Sequence, residues 1–406
     1  MGRVLLLIPS RTYRTHDFME AASRLDVEVV VGSPHRPALA ALMDGRHLRI
    51  EFTDLDESVE RIVAFASTRP LDAIVPVDDS GTPLASAASA RLGLPQNPLQ
   101  AVLTASNKMM TRRALRNAGL PTPRFLSFSV DTVPVDVAST IRYPCVVKPV
   151  DRSGSQGVIR VDESVAFPEA FTRVVAIVRS CDQSQDASLL VEDFVPGREV
   201  AVEGLLRGGE LEVLAIFDKP DPLDGPFFEE TIYVTPSRFD TGTQAAIVRS
   251  TAAATRALGL REGPVHAELR INGAEIFVLE VAPRSIGGLC SRTLRFGAGL
   301  SLEELILRHA AGLPMPAHDR ERRAAGVMML PIPAGGRLQE VRGQEEARTV
   351  PGVESLVVTV PAGERLVPLP EGDRYLGFLF ARSDDPAAVE TALREAFSRL
   401  TVVIHD

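Results

Sequence analysis

The chain has 406 residues, enough for two to four domains. Apolar residues make up 45% and charged residues 24%, the balance of a globular enzyme, which excludes a disordered or collagen-like chain. A net charge of −9 without any basic run argues against a general nucleic-acid binder.

No apolar run reaches the ~18 residues of a membrane span. The first run, residues 4–8, is followed by Pro9, Arg11 and Arg14 with no small-residue cleavage site, so it reads as a buried strand rather than a secretion signal. Helical periodicity follows over 16–25, a second apolar run at 27–31 and a helix at 58–66. A strand at 73–77 ends in Asp78-Asp79-Ser80-Gly81, and a small-residue helix at 84–92 is closed by Gly93. This β-α-β alternation predicts a parallel, doubly wound sheet. The strand ends carry no G-x-G-x-x-G, which argues against dinucleotide binding. Pro95, Pro98, Pro121 and Pro123 bracket one helix over about 100–118.

Beyond Phe125 the pattern becomes α+β with mainly antiparallel strands. They are expected at 145–147, 157–161, 189–192, 199–206, 211–217, 265–271 and 276–281, with helices at 166–180 and 244–258. A helix at 301–311 ends in Gly312-Leu313-Pro314. The tail holds strands at 327–330, 355–360 and 377–382 and a helix at 386–400. Cys145, Cys181 and Cys290 are odd in number and widely spaced, so they read as reduced thiols of a cytoplasmic protein rather than zinc ligands.

Of 44 basic residues only Lys108, Lys148 and Lys219 are lysines. A G+C-rich genome accounts for the rarity but not for where the survivors sit. An ammonium is a compact point charge, whereas a guanidinium is a planar fork. The three lysines are therefore candidates for one phosphate site.

Four motifs carry chemistry. Lys148-Pro149 precedes Ser153-Gly154-Ser155-Gln156-Gly157, a loop able to present N–H groups to phosphate oxygens; it is not a Walker A loop, because no helix starts there. Glu192-Asp193-Phe194-Val195 runs through Pro196-Gly197 to Glu199 and could offer backbone groups to an adenine edge. Glu268 and Glu280 lie on two strands joined through Asn272-Gly273, a strong hairpin signal. A two-residue turn there would put the two carboxylates on opposite faces. An odd loop or a bulge would bring them together, and a three-residue loop would set Glu280 roughly 7–8 Å away on the diagonal. Such a pair suits Mg²⁺, which takes one or two carboxylates plus phosphate oxygens. Arg284 follows in Ala282-Pro283-Arg284-Ser285-Ile286-Gly287-Gly288, placed to clamp a phosphate or carboxylate.

In this order and spacing the motifs resemble the ATP-grasp superfamily over nearly the whole chain, most of all the L-amino-acid ligases (dipeptide synthases), with a layout similar to biotin carboxylase. The resemblance implies a parallel α/β N-terminal domain (1–105), an α+β ATP-grasp core (106–312) with a lid at about 120–195, and an α+β C-terminal domain (313–406). It implies ATP held by Lys108, Lys148, Lys219, the loop Ser153, Gly154, Ser155 and Gly157, the hinge Glu192, Asp193, Phe194 and Val195, and Glu199. It implies Mg²⁺, or Mn²⁺ in its place, on Glu268 and Glu280, and Arg284 and Lys219 as catalytic groups. Gly225-Pro226-Phe227-Phe228-Glu229-Glu230-Thr231, then Pro236-Ser237, resembles a segment that binds an amino substrate. Glu229 or Glu230 would meet the ammonium, with Arg284, Ser285, Gly287 and Gly288 on the rest of the substrate. The family often has Asn two residues after the second metal glutamate; here that residue is Ala282.

The implied activity is an ATP-dependent carboxylate–amine ligase working through an acyl phosphate on amino acids. It would be cytoplasmic and homodimeric, with no nucleic-acid or membrane partner. The alternatives are an ATP-grasp enzyme activating bicarbonate or another carboxylate, and a non-catalytic nucleotide-binding protein.

Overall fold

The N-terminal apolar run forms β1 (Arg3–Leu7), flanked by β2 (Glu28–Ser33), β3 (His47–Arg49) and β4 (Ala73–Pro76) in a sheet of order β3-β2-β1-β4. All its pairings are parallel. Residues 4–7 are buried on both faces, as a parallel sheet requires. Helix α1 (Thr15–Arg24) packs on the Val4 and Leu6 face, and α2 (Leu55–Thr68) and α3 (Thr82–Leu92) on the Leu5 and Leu7 face. The computed structural model describes residues 2–10, 12–35, 45–181 and 187–405; Arg11 and the Cys181 side chain lie outside the described residues. Cys145 and Cys290 are buried free thiols.

The expected single helix at 100–118 is two: α4 (Leu99–Ala105) and α5 (Lys108–Asn117). Asn107 adopts an extended conformation and accepts the Met110 N–H on its side-chain oxygen at 3.0 Å. That bond offers the backbone an alternative to helix, so α4 stops and α5 starts. Lys108 thereby becomes the first residue of α5.

A second sheet, order β5-β8-β6-β7, joins β5 (Phe125–Ser129), β6 (Cys145–Pro149), β7 (Ile159–Val161) and β8 (Ser188–Asp193), all antiparallel. Helices α6 (Pro134–Val137) and α7 (Phe167–Cys181) accompany it, and α7 buries Phe167, Phe171 and Val174 against its strands. The run expected as a strand from 157 pairs only from Ile159.

The central sheet has eight strands in the order β13-β12-β9-β10-β11-β14-β18-β16. It begins with β9 (Arg198–Arg207), β10 (Glu210–Asp218) and β11 (Ile232–Thr235). After α8 (Thr241–Leu258) come β12 (Gly263–Asn272) and β13 (Glu275–Ala282), then α9 (Leu302–Ala310), which opens on a Ser301–Glu304 capping box. The remainder holds β14 (Ala324–Leu330), β15 (Gly336–Arg342), α10 (Gln344–Arg348), β16 (Val353–Val358), β17 (Arg365–Leu366), β18 (Gly377–Ser383), α11 (Pro386–Ser398) and β19 (Thr401–His405). Strands β17, β15 and β19 form a small separate sheet. Because β11 pairs with β14, the central sheet runs unbroken past residue 312.

Candidate active site

The hairpin β12–β13 turns at Gly273-Ala274, with Asn272 opposite Glu275 and Leu269 opposite Val278. That register, continued, would set Leu279 across from Glu268 and turn Glu280 to the other face. A bulge at Leu279 intervenes, and Glu268 lies directly opposite Glu280. The diagonal placement from a three-residue loop is thus corrected: the turn has two residues, and the bulge supplies the odd count. Directly opposed residues share a face with Cβ atoms about 4.5–5.5 Å apart.

Each lysine ends on these or neighbouring carboxylates. Lys108 Nζ lies 3.0 Å from Glu280 Oε2 and also donates to the Arg152 carbonyl. Lys148, on β6, pairs with Glu192 on β8. Lys219, just past β10, pairs with Glu230, with Glu199 at 2.7 Å and with Glu268 at 3.4 Å. Glu230 is therefore the acid of the Glu229–Glu230 pair brought to the cluster. Ser237 instead donates to Asp218 at 2.6 Å.

Several groups at this site escaped the sequence reading. Arg112, fully buried on α5, donates Nε and Nη2 to the two Glu192 oxygens at 2.9 and 3.2 Å. His266 stands between Glu203 (3.2 Å from Nδ1) and Glu268 (3.6 Å from Nε2). Glu203 also accepts the Ile286 N–H at 3.0 Å, fixing the turn after Arg284. Arg270 donates to Glu199 at 2.9 Å and to the Val195 carbonyl at 2.8 Å. Arg284 is gripped in bidentate fashion by Asp79, at 2.9 and 2.8 Å. Ser285 Oγ accepts from buried Arg14 at 2.7 Å. Asp79 follows β4, at the carboxyl edge of the parallel sheet, where open α/β sheets place ligand groups. That position was a readable signal; the arginines, scattered among many, gave none.

Charge balance sets the ionisation. Burial works against the Glu192 anion, but Arg112 and Lys148 outweigh it and bring its pKa down to about 2. Burial pulls the Lys148 ammonium down to about 8 although Glu192 opposes the shift. Burial and the Glu268 charge push Glu230 up to about 7 despite Lys219. Glu268 goes the other way: burial raises it, but Lys219 and His266 prevail. Burial lowers His266, yet Glu203 and Glu268 lift it to about 9.

In the loop, Gly154, Ser155 and Gly157 take left-handed φ of 62°, 57° and 72°, and the N–H groups of Gln156 and Val158 close turns on the Ser153 and Ser155 carbonyls at 3.4 and 3.2 Å. The Gly157 N–H donates to the Pro370 carbonyl at 2.8 Å, and Gln156 to the Glu371 carbonyl at 2.9 Å. In the hinge, the N–H groups of Asp193 and Phe194 are already taken by the Arg124 and Pro144 carbonyls at 2.9 Å each. This narrows what the segment can offer a ligand edge. Gly288 has φ of 60°, and a Cβ there would meet the Phe378 ring at 2.7 Å.

Two carboxylate groupings could hold a divalent ion. Glu199, Glu230 and Glu268 place one oxygen each within 4.8 Å of one another. The Lys219 ammonium pairs with all three and neutralises part of their charge, and Glu268 and Glu280 are likewise each met by one lysine, Lys219 and Lys108. Glu268 and Glu280, opposed across the bulge and partly exposed, offer the hard oxygen donors that Mg²⁺ prefers, and the residues fit that ion.

Residues 141–293 match the family model of the ATP-grasp domain, residues 19–96 that of the ATP-grasp N-terminal domain, and residues 328–405 that of the L-amino acid ligase C-terminal domain 2. The chain belongs to the ATP-grasp family and has its three-domain ligase fold. Over its whole length it superposes on an L-amino acid ligase from Bacillus licheniformis. The TM-score is 0.87 at 26% identity, covering 100% of this chain and 99% of that one. It is 29% identical over 226 residues to a D-alanine–D-alanine ligase of Methylibium petroleiphilum, covering 52% of this chain and 68% of that protein. Carnosine synthase 1 of Gallus gallus is 30% identical over 305 residues, covering 70% of this chain and 32% of the synthase. A biotin carboxylase of Campylobacter jejuni shares the fold, with TM-score 0.69 at 14% identity over 99% and 92% of the two chains.

Proposed function

We propose that the protein is an ATP- and Mg²⁺-dependent carboxylate–amine ligase that joins two amino acids. The observation that carries this reading is the convergence of its lysines. All three in the chain end in one carboxylate-lined region, beside the Glu268–Glu280 pair. The ligase relatives support the reaction class.

One substrate carboxylate oxygen would attack the γ-phosphorus, expelling ADP. The amine nitrogen of the second would then attack the acyl carbon, lose a proton and expel phosphate. Mg²⁺ on Glu268 and Glu280 would supply charge neutralisation at the phosphate oxygens. Lys148, Lys219 and the N–H groups of Gly154 and Ser155 would hold the transferring phosphoryl group, and the reaction is mainly one of positioning. Glu230, already against an ammonium in Lys219, would receive the substrate ammonium, whose charge would favour its carboxylate form. Arg284, held by Asp79, would face the tetrahedral oxyanion. The loop docked at Pro370 would keep water from the acyl phosphate.

The test is ADP and phosphate release from Mg-ATP against amino acids singly and in pairs, with mass spectrometry of active mixtures. Release that needs two amino acids, with a product mass of their sum less water, is expected. Silence across the matrix, with ATP binding intact, would overturn the amino-acid reading. Glu280→Ala should lower turnover by more than about 100-fold, the upper range even for groups that merely orient a metal ligand; unchanged turnover would refute the metal assignment.

A further inference from the structure

Arg112 makes four hydrogen bonds to two elements that the chain keeps far apart. Two go to Glu192, at the end of β8 in the lid sheet. The other two, both from Nη1, go to the carbonyls of Val278 and Leu279, at 3.2 and 2.8 Å. These carbonyls flank the bulge. An extra residue disrupts the ladder there and leaves backbone acceptors to be satisfied from outside it. Arg112 fills that need from a site with no solvent exposure. On the same helix, one turn earlier, Lys108 reaches Glu280.

We propose that Arg112 is a positioning residue whose guanidinium locks the Leu279 bulge and so sets Glu280 opposite Glu268, while its other edge sets Glu192 and, through it, Lys148. The inference rests on the ligase reading for the identity of the ion and deepens it. Unbulged, the hairpin would direct Glu280 to the wrong face, so the metal pair exists only while the bulge does. The planar fork is needed because three separate acceptor groups must be met from one buried point. A lysine keeps the charge but cannot span them.

The experiment measures Mn²⁺ binding in the presence of ADP, by electron paramagnetic resonance, with no turnover required. The proteins are wild type, Arg112→Lys and Arg112→Gln, each with its fold checked by circular dichroism and thermal midpoint. Arg112→Gln leaves Lys148 and Glu192 as a neutral pair, so it keeps the comparison available if the lysine variant does not fold. A rise of tenfold or more in the Mn²⁺ dissociation constant, measured at saturating ADP, is expected for each folded variant, together with a weaker metal-free ADP affinity because Glu192 and Lys148 lose their anchor. A purely structural role would lower the thermal midpoint and leave Mn²⁺ affinity alone, and that result overturns the proposal. A wild type that binds ADP but no Mn²⁺ overturns the metal pair itself, and this inference with it.

Discussion

Glu192 shows how a single buried carboxylate organises the site. Arg112 and Lys148 both rest on it, and their charges hold its pKa near 2 against an ordinary value of 4.5. A carboxyl with a depressed folded-state pKa contributes stability that is present above the unfolded value and lost as pH falls through the folded one. The wild type should therefore lose on the order of 3 kcal/mol between about pH 4.5 and pH 2 from this group. Glu192→Gln should flatten that part of the acid limb and be less stable at pH 7, where it leaves the buried Arg112 guanidinium without its carboxylate and drives the Lys148 amine towards its neutral form. Urea denaturation across the pH range checks both; an unchanged acid slope would remove Glu192 from the network. The three lysines were legible because they are scarce. Arg112 and Arg270 were not, because one arginine among many carries no local mark and their carboxylate partners lie 80 and 71 residues away.

At the scale of elements, local chemistry and tertiary contacts divide the work. Asn107 caps α5 by a side-chain bond that any Asn before a helix could make, yet the periodicity across 100–118 concealed the break. The hinge turn depends on Gly197, whose φ is 121° and whose Cβ would lie 2.1 Å from the Ile271 carbonyl oxygen. The turn thus presses on the end of β12, holding the hinge beside Arg270. Gly197→Ala should cost about 2–4 kcal/mol through backbone strain and that overlap. A thermal or denaturant midpoint equal to wild type would show that the turn rearranges freely. The β12–β13 hairpin was legible from Asn-Gly, but its register was not. Turn type and bulge are chosen by what the strands and Arg112 satisfy together, and no spacing in the sequence records that choice.

Across the whole molecule, the sheet β5-β8-β6-β7 with its loop and α7 meets the C-terminal segment. Beyond the loop's bonds to Pro370 and Glu371, Arg173 on α7 forms a bidentate pair with the Glu371 side chain at 2.6 and 3.0 Å. On the other side, Arg160 donates its N–H to the Pro226 carbonyl at 2.9 Å, and Ile159 bridges to Phe227. The Arg173–Glu371 pair is more than two-fifths exposed, so it adds little to global stability. Its effect belongs to local opening. Glu371→Ala should leave the thermal midpoint within about 2 °C, speed amide exchange over 153–157 severalfold, and raise ATP hydrolysis without an amine acceptor. Unchanged exchange over those residues would show that the loop is held by other contacts.

The short or partly exposed strands β3, β5, β11, β15, β17 and β19 went unread, but the sequence alone determined the parallel core β2-β1-β4 of the first sheet and most strands of the central one, and it marked the candidate phosphate and carboxylate motifs. These rest on apolar periodicity, turn chemistry and rare residue types, which are short-range properties. The tertiary structure alone decided which charges neutralise one another. Glu230 rather than Glu229 meets Lys219, Asp79 grips Arg284, His266 sits between Glu203 and Glu268, and a bulge faces Glu268 with Glu280. Buried charges must find partners wherever the packed chain brings them. That pairing is a property of the assembled interior, where residues distant along the chain become neighbours.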